Sequence, residues 1–282
     1  MQKSQIYLSK TKKPGKKWST VHILGIPYYV MILLLIIIPI IMMLLYSFQT
    51  DQPQGIFVIS FTMKHYHRFL SEPLFIKTMG QALYLAGIST GVALLIGYPL
   101  AYIISRSKPR VQVLLVLLVS APMWINMLLR TRALQQVIEM INPNLLGTHF
   151  VIIFGMTYLY LPFMVLPIYT VLSKMDENLF QSAADLGASK FQTIIKVVIP
   201  LSLSGILSGI MMVFLPAATT LVVPKYLGNN LILIGNLIEK AFLGGQYGYG
   251  AAISVLLAII IMGFVWLIKK VDRYQGAIQD ED

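Results

Sequence analysis

The side chains able to do acid–base, nucleophilic or metal chemistry are few in this chain, and their spacing assembles no reactive set. The carboxylates are Asp51, Glu72, Glu139, Asp176, Glu177, Asp185, Glu239, Asp272, Asp280, Glu281 and Asp282. All fall outside the long apolar runs, so none is placed to act as a proton relay or cation site inside a membrane. His65 and His67 form an H-x-H pair with no third ligand type nearby, a pattern that is usually plain surface, and no metal is expected. Cysteine is absent, which excludes disulfides, thiolate catalysis and cysteine-ligated metals. The phosphate cradle G-x-x-x-x-G-K-[ST] is also missing, so the chain is expected to be no enzyme and to bind no ATP itself. Aromatic faces and amide oxygens are polar groups that remain within the apolar runs. Trp124, Asn126, Tyr158 and Tyr160 fall at similar depth in their apolar runs, and a cation over such rings gains about 0.5 to 2 kcal/mol. Interfacial anchoring or helix packing is the alternative role for the three rings.

The elements that must position these residues are apolar spans. Hydrophobic residues make up 57% of the chain and charged ones 12%, with a mean hydropathy of +0.74, which places it among all-α polytopic membrane proteins. A run of about 20 helical residues crosses the hydrocarbon core. Six runs qualify: Gly25 to Tyr46, Thr78 to Ser105, Val111 to Leu129, Phe150 to Leu172, Val197 to Pro224, and a last one ending at Ile268. The chain therefore divides into a basic tail over 1–22, a six-span domain over 23–268 and a C-terminal tail over 269–282.

The net charge of +11 belongs to membrane orientation rather than to nucleic-acid binding, because the basic residues flank apolar spans instead of forming one patch. Of the 22 Lys and Arg, all but Lys64, Arg68, Lys77, Arg130, Arg132, Lys225 and Lys240 fall on the side that holds both tails. The positive-inside rule makes that side cytoplasmic. The tail before the first span has neither the short apolar region nor the small-residue cleavage site of a secretory signal, so that span is read as retained.

The loops on the opposite side are less regular. Arg130 to Asn144 reads as a short interfacial helix ended by Asn142-Pro143, and LGNNLILIGNLIEKAF, between Tyr226 and Phe242, as a half-helix at the outer mouth. Pro122, Pro162, Pro167, Pro200 and Pro216 each remove a backbone donor inside a span, which neighbours or water in a cavity must compensate.

One stretch on the cytoplasmic side is long enough to fold locally: Asp176 to Ile206, DENLFQSAADLGASKFQTIIKVVIPLSLSGI, which starts in a cytoplasmic loop over 174–196 and leads through Pro200 into the fifth span. Asp176 is a helix N-cap type, and Leu179, Ala183, Leu186 and Gly187 recur at helical spacing. Gly187 can turn the chain left-handed at little cost, and Ser189 with Gln192 is a capping-box signature for a second helix. A bent pair of helices is predicted, suited to act as a lever on the fifth span. An ordinary helical loop is the alternative.

Gln181 to Gly187, with Ala188 and then Ile199-Pro200-Leu201, resembles the E-A-A-x-x-x-G coupling loop of ABC importer permeases. Gln181 stands where that motif has glutamate and Ser182 where it has its first alanine, so the charge is lost and the helix–glycine–helix frame kept. Ala121 to Arg130 (APMWINMLLR), Tyr160 to Tyr169 (YLPFMVLPIY) and LILIGNLIEKAF extend the likeness to the permease subunits of spermidine/putrescine ABC importers. The resemblance implies a six-span permease of the type I ABC importer kind, with Gln181, Ser182, Ala183, Asp185, Gly187 and Ala188 in the ATPase-coupling segment. It also implies a homologous second permease, two cytoplasmic ABC ATPase subunits that bind ATP and magnesium, an extracytoplasmic substrate-binding protein and a lipid surround. Trp124, Asn126, Tyr158 and Tyr160 become pathway residues for a polycation, in spans whose lack of carboxylates lets the cargo leave. A permease for another small solute, such as an oxyanion or ferric ion, remains open, as does an autonomous channel or ion-coupled carrier.

Overall fold

The computed structural model describes residues 20–50, 61–176, 178–229 and 231–279, and every regular element among them is helical. The chain divides into two units at Leu45–Tyr46. The described part of the first unit is helical: α1 runs over Thr20–Ile32 and continues through a wide π turn, Leu33–Ile37, into Ile38–Ser47, whose last two residues fall in the second unit. The π turn ends two residues before Pro39, with the Ile38 N–H bonded back to the Leu33 carbonyl. Widening the turn there accommodates a ring that would otherwise clash with the preceding carbonyl.

The second unit contains α2 (Lys64–Ser71), α3 (Pro73–Ser105), α4 (Pro109–Ser120), α5 (Met127–Ile141), α6 (His149–Leu172), α7 (Asn178–Asp185), α8 (Lys190–Leu201), α9 (Leu203–Thr219), α10 (Val222–Leu227), α11 (Ile234–Leu243) and α12 (Tyr247–Gln279). Three of them, α3, α6 and α9, form the core. Helix α3 can lie close to its neighbours because its inward stripe is small: Ala82, Ala86, Ser89, Ala93, Gly97 and Ala101 are all buried. The Ser89 and Thr90 hydroxyls donate to the carbonyls of Leu85 and Ala86 one turn back, so neither is left unpaired in an apolar setting. The opposite face exposes Leu95, Ile96 and Ile103 for lipid to cover.

Met164 of α6 is the centre of this packing. A Cβ built at Gly97 would lie 2.9 Å from Met164 Cγ, and one at Gly209 would lie 2.8 Å from Met164 Sδ and 3.1 Å from its carbonyl oxygen. Gly205 and Gly209 of α9 are four apart, the small-residue spacing that lets two helix backbones meet. Replacing Gly209 with leucine is therefore expected to cost about 1 to 3 kcal/mol through overpacking and to lower the thermal midpoint in detergent by several degrees. The same replacement at Gly80, where nothing lies within 4 Å of the built Cβ, should leave the midpoint unchanged.

Among the described residues four helices, Pro27–Ser47, Pro73–Ser105, His149–Leu172 and Tyr247–Val271, are long and apolar enough to cross a membrane, and two bent pairs bring the number to six where each pair makes one crossing. The pairs correct two expected spans. Val111 to Leu129 is no single helix: α4 runs into a short 3-10 turn, Ala121–Trp124, and α5 leaves at 94°. Pro122 removes a donor from the turn, Ile125 is extended, and the Asn126 carboxamide oxygen accepts the Leu128 N–H at 2.8 Å to start a new helix. The helix expected over Arg130 to Asn144 accordingly begins at Met127 and ends at Ile141.

The fifth crossing is broken too, with a 68° bend between Lys190–Leu201 and Leu203–Thr219. A second π turn, Ile194–Val198, again ends two residues before a proline, Pro200. Ser202 at the break is fully buried, its Oγ donating to the Ile199 carbonyl at 3.1 Å and lying 3.0 Å from the Tyr98 hydroxyl of α3. Val222–Leu227 is a separate helix rather than the end of that crossing, and Ile234–Leu243 supplies the short helix expected near Phe242. Helix α12 continues beyond Ile268 to Gln279, through most of the expected C-terminal tail.

Candidate functional site

The segment over 174–196 folds as two short helices around a glycine. Asp176 caps α7, its Oδ1 accepting the Asn178 N–H at 2.9 Å; Glu177 lies outside the described residues. The far end of α7 closes in a Schellman turn, with the Ala188 N–H bonded to the Ala183 carbonyl at 3.0 Å and the Gly187 N–H to the Ala184 carbonyl at 2.9 Å. That turn requires the left-handed φ of +78° at Gly187, and the space around a built Cβ there is open. The expected capping box is formed: Gln192 N–H donates to Ser189 Oγ at 3.3 Å and Ser189 N–H to Gln192 Oε1 at 2.9 Å.

The motif residues divide by face. Gln181, Ser182, Asp185 and Gly187 are exposed, while Ala183 and Ala188 are half-buried. Two large apolar side chains stand out from this otherwise polar segment: Leu186 is 88% exposed and Phe191 72% exposed. Beneath them Met175, Leu179 and Phe180 of the first arm and Thr193, Val197, Val198 and Leu201 of the second line a small apolar recess. Phe180 is also covered by the guanidinium of Arg106, whose Cζ sits 3.9 Å from the ring centroid. Sequence reasoning missed Arg106, because no short-range pattern links the end of α3 to α7.

The aromatic and amide residues picked from the sequence occupy different settings. Trp124 ends the 3-10 turn and is 77% exposed, whereas the Asn126 carboxamide oxygen is engaged as the cap of α5. Tyr158 is 42% exposed and Tyr160 only 4% exposed, as two positions separated by about 200° around one helix must be. The Tyr160 hydroxyl donates to the Pro216 carbonyl at 3.3 Å, at the end of α9 where that oxygen has no following turn. Tyr158 and Tyr160 therefore face different surroundings and do not share one wall.

His65 Nε2 lies 2.7 Å from the Gln49 carbonyl, and His67 Nδ1 lies 3.1 Å from Ser71 Oγ, so the two rings are engaged separately. Nearby, Arg68 of α2 meets two further helices without any sequence signal: its Cζ is 4.5 Å from the Tyr249 ring of α12 and 6.0 Å from the Phe75 ring of α3, and its Nε is 3.2 Å from Glu72 Oε1. Glu139, inside the bent third crossing, is exposed at its far end and accepts from Gln135 Nε2 at 2.7 Å.

Comparison with known proteins extends the description. The chain is 32% identical over 244 residues to the spermidine/putrescine transport system permease protein PotB of Haemophilus influenzae, covering 80% of this chain and 85% of that one. It is 35% identical over 239 residues to PotB of Escherichia coli (strain K12), covering 79% and 86%. Among solved structures it resembles a bacterial ABC transporter involved in the import of the acidic polysaccharide alginate, with a TM-score of 0.71, 15% identity and coverage of 90% and 95%. The MetNI methionine ABC transporter matches with a TM-score of 0.54, 17% identity and coverage of 72% and 95%. These likenesses show the fold expected from the sequence, that of a type I ABC importer permease. The sequence pattern of the binding-protein-dependent transport system inner membrane components matches residues 93–275. With that match over most of its length, the chain is a multi-pass membrane protein and belongs to the family of binding-protein-dependent transport system inner membrane components.

Proposed function

We propose that this chain is the permease subunit of an ATP-driven importer of polyamines such as spermidine and putrescine. The observation that carries the reading is the capped helix–glycine–helix segment, which holds Leu186 and Phe191 out of an otherwise polar surface. Large apolar side chains left that exposed on a polar segment mark a docking surface. The partner is an ABC ATPase subunit, one of two that bind ATP and magnesium, and the coupling residues are Gln181, Ser182, Ala183, Asp185, Gly187 and Ala188. Since this chain carries no phosphate cradle of its own, it is a transport subunit and not an enzyme.

The charge asymmetry supports an orientation with both tails, 1–22 and 269–282, and the coupling segment in the cytoplasm of a cell membrane. A homologous second permease completes the conduit, and an extracytoplasmic binding protein delivers the solute. Within the pathway, the exposed rings of Trp124 and Tyr158 offer faces to a passing ammonium group. Asn126 and Tyr160 act by setting the backbone, one starting α5 and the other holding the end of α9. Polyamine selectivity rests on the relatives in Haemophilus influenzae and Escherichia coli, whose names carry that substrate.

Deleting the chain from a cell with no second copy should abolish ATP-dependent uptake of radiolabelled spermidine and putrescine, and restoring it should return uptake. Undiminished uptake in the deletion strain would reject the reading. Loss of uptake of another solute with polyamine uptake intact would reject the substrate and keep the transporter class.

A further inference from the structure

We propose that Arg106 is a positioning residue for coupling, passing movement of α7 directly into the core helix α3 through its stack on Phe180. The inference rests on the reading of 174–196 as the ATPase-docking segment and adds the route by which that segment reaches the core.

Arg106 caps the C-terminus of α3, its N–H bonded to the Tyr102 carbonyl at 3.2 Å. Its guanidinium lies 3.9 Å from the Phe180 ring centroid and 5.9 Å from that of Tyr102. Nε and Nη2 are buried and have no hydrogen-bond partner among the described residues. What the guanidinium rests on is therefore the Phe180 ring, and a planar cation over a ring holds one orientation where an ammonium would not. Phe180 is half-buried, whereas its neighbours Gln181 and Ser182 are exposed. Helix α7 thus grips the body with one residue and offers the next ones outward.

The alternative route from α7 runs through soft joints. Beyond α7 the chain passes the left-handed turn at Gly187, a π turn at Ile194–Val198 and the 68° break at Ser202 before it enters α9. Helix α3 bypasses all three. About 12 Å back along α3 from Arg106, the Tyr98 hydroxyl lies 3.0 Å from Ser202 Oγ, so the same helix also holds the break. With one end on Phe180 and a second grip on Ser202, α3 is placed to move with α7 and to turn α9 against α6.

The test uses the complete transporter in lipid vesicles, with its binding protein and ATPase subunits, and reads three quantities: ATPase co-purification, ATP hydrolysis, and spermidine taken up per ATP hydrolysed. Phe180→Leu removes the ring and keeps apolar volume, Arg106→Gln removes the charge, and Phe180→Tyr keeps the stack. Phe180→Leu and Arg106→Gln should each assemble and hydrolyse ATP while uptake per ATP falls about tenfold. Phe180→Tyr should retain it, and the double variant should be no worse than either single one. Unchanged uptake per ATP in both single variants, or losses that multiply in the double variant, would overturn the proposal. If one of these variants fails to accumulate, the contrast between the remaining one and Phe180→Tyr decides in the same way. Failure of the unaltered protein to take up spermidine in these vesicles would instead count against the transport reading, leaving the coupling ratio to be read with the solute that is carried.

Discussion

A Gly187→Val protein is expected to insert normally and to lose at least ten-fold in both ATPase co-purification and ATP-dependent uptake. The reason is conformational, not steric. Gly187 holds a φ of +78°, and a built Cβ there meets nothing within 4 Å. An L-residue in the left-handed region costs about 1 to 2 kcal/mol, and a β-branched one sits there least readily. The Schellman turn would open, releasing the Ala188 bond to Ala183 and the Gly187 bond to Ala184. The second arm, started by the Ser189 and Gln192 capping box, would then leave α7 at another angle. Asparagine tolerates the left-handed region, so Gly187→Asn should keep most of both activities. Chromatography of the detergent-solubilised complex with matched membrane levels checks the result, and a valine variant with wild-type assembly would contradict the role given to the turn.

Replacing Leu186 with aspartate should weaken ATPase binding by about thirty-fold while leaving the thermal midpoint of the isolated chain unchanged. Leu186 is 88% exposed, so the folded subunit loses almost no packing when it is replaced. On a partner surface the same side chain becomes buried, and truncating such an anchor costs roughly 2 kcal/mol or more. Phe191, 72% exposed on the adjoining arm, should behave alike when changed to alanine. Titration of the ATPase subunit against the permease in nanodiscs measures both effects. Affinity that stays within two-fold for both variants would remove these residues from the docking surface.

Much of this architecture is written in local patterns that survive without tertiary context. Composition alone places the chain in a membrane, since 57% hydrophobic residues cannot be covered by the surface of a soluble domain of this size. Apolar run lengths then yield six crossings, because a helix in lipid must satisfy its backbone internally over about 20 residues. The Ser189 and Gln192 box and the turn at Gly187 were legible for a similar reason: each depends on residues no more than a few positions apart. Even the divergence of Tyr158 and Tyr160 was available, since two positions on one helix separate by angle even while they agree in depth.

What the folded chain alone decided involves distance along the chain or a choice between equivalent local outcomes. A proline in an apolar run allows a kink or a complete break, and the 94° departure at Asn126 and the 68° break at Ser202 come from caps and neighbours. Tyr98 and Ser202 lie 104 residues apart, and Arg106 meets Phe180 across two crossings. Nothing in the spacing of either pair hints at contact. Packing of α3, α6 and α9 through small residues brings such partners together, and helix packing in lipid is governed by close shape rather than by any pattern readable along one helix.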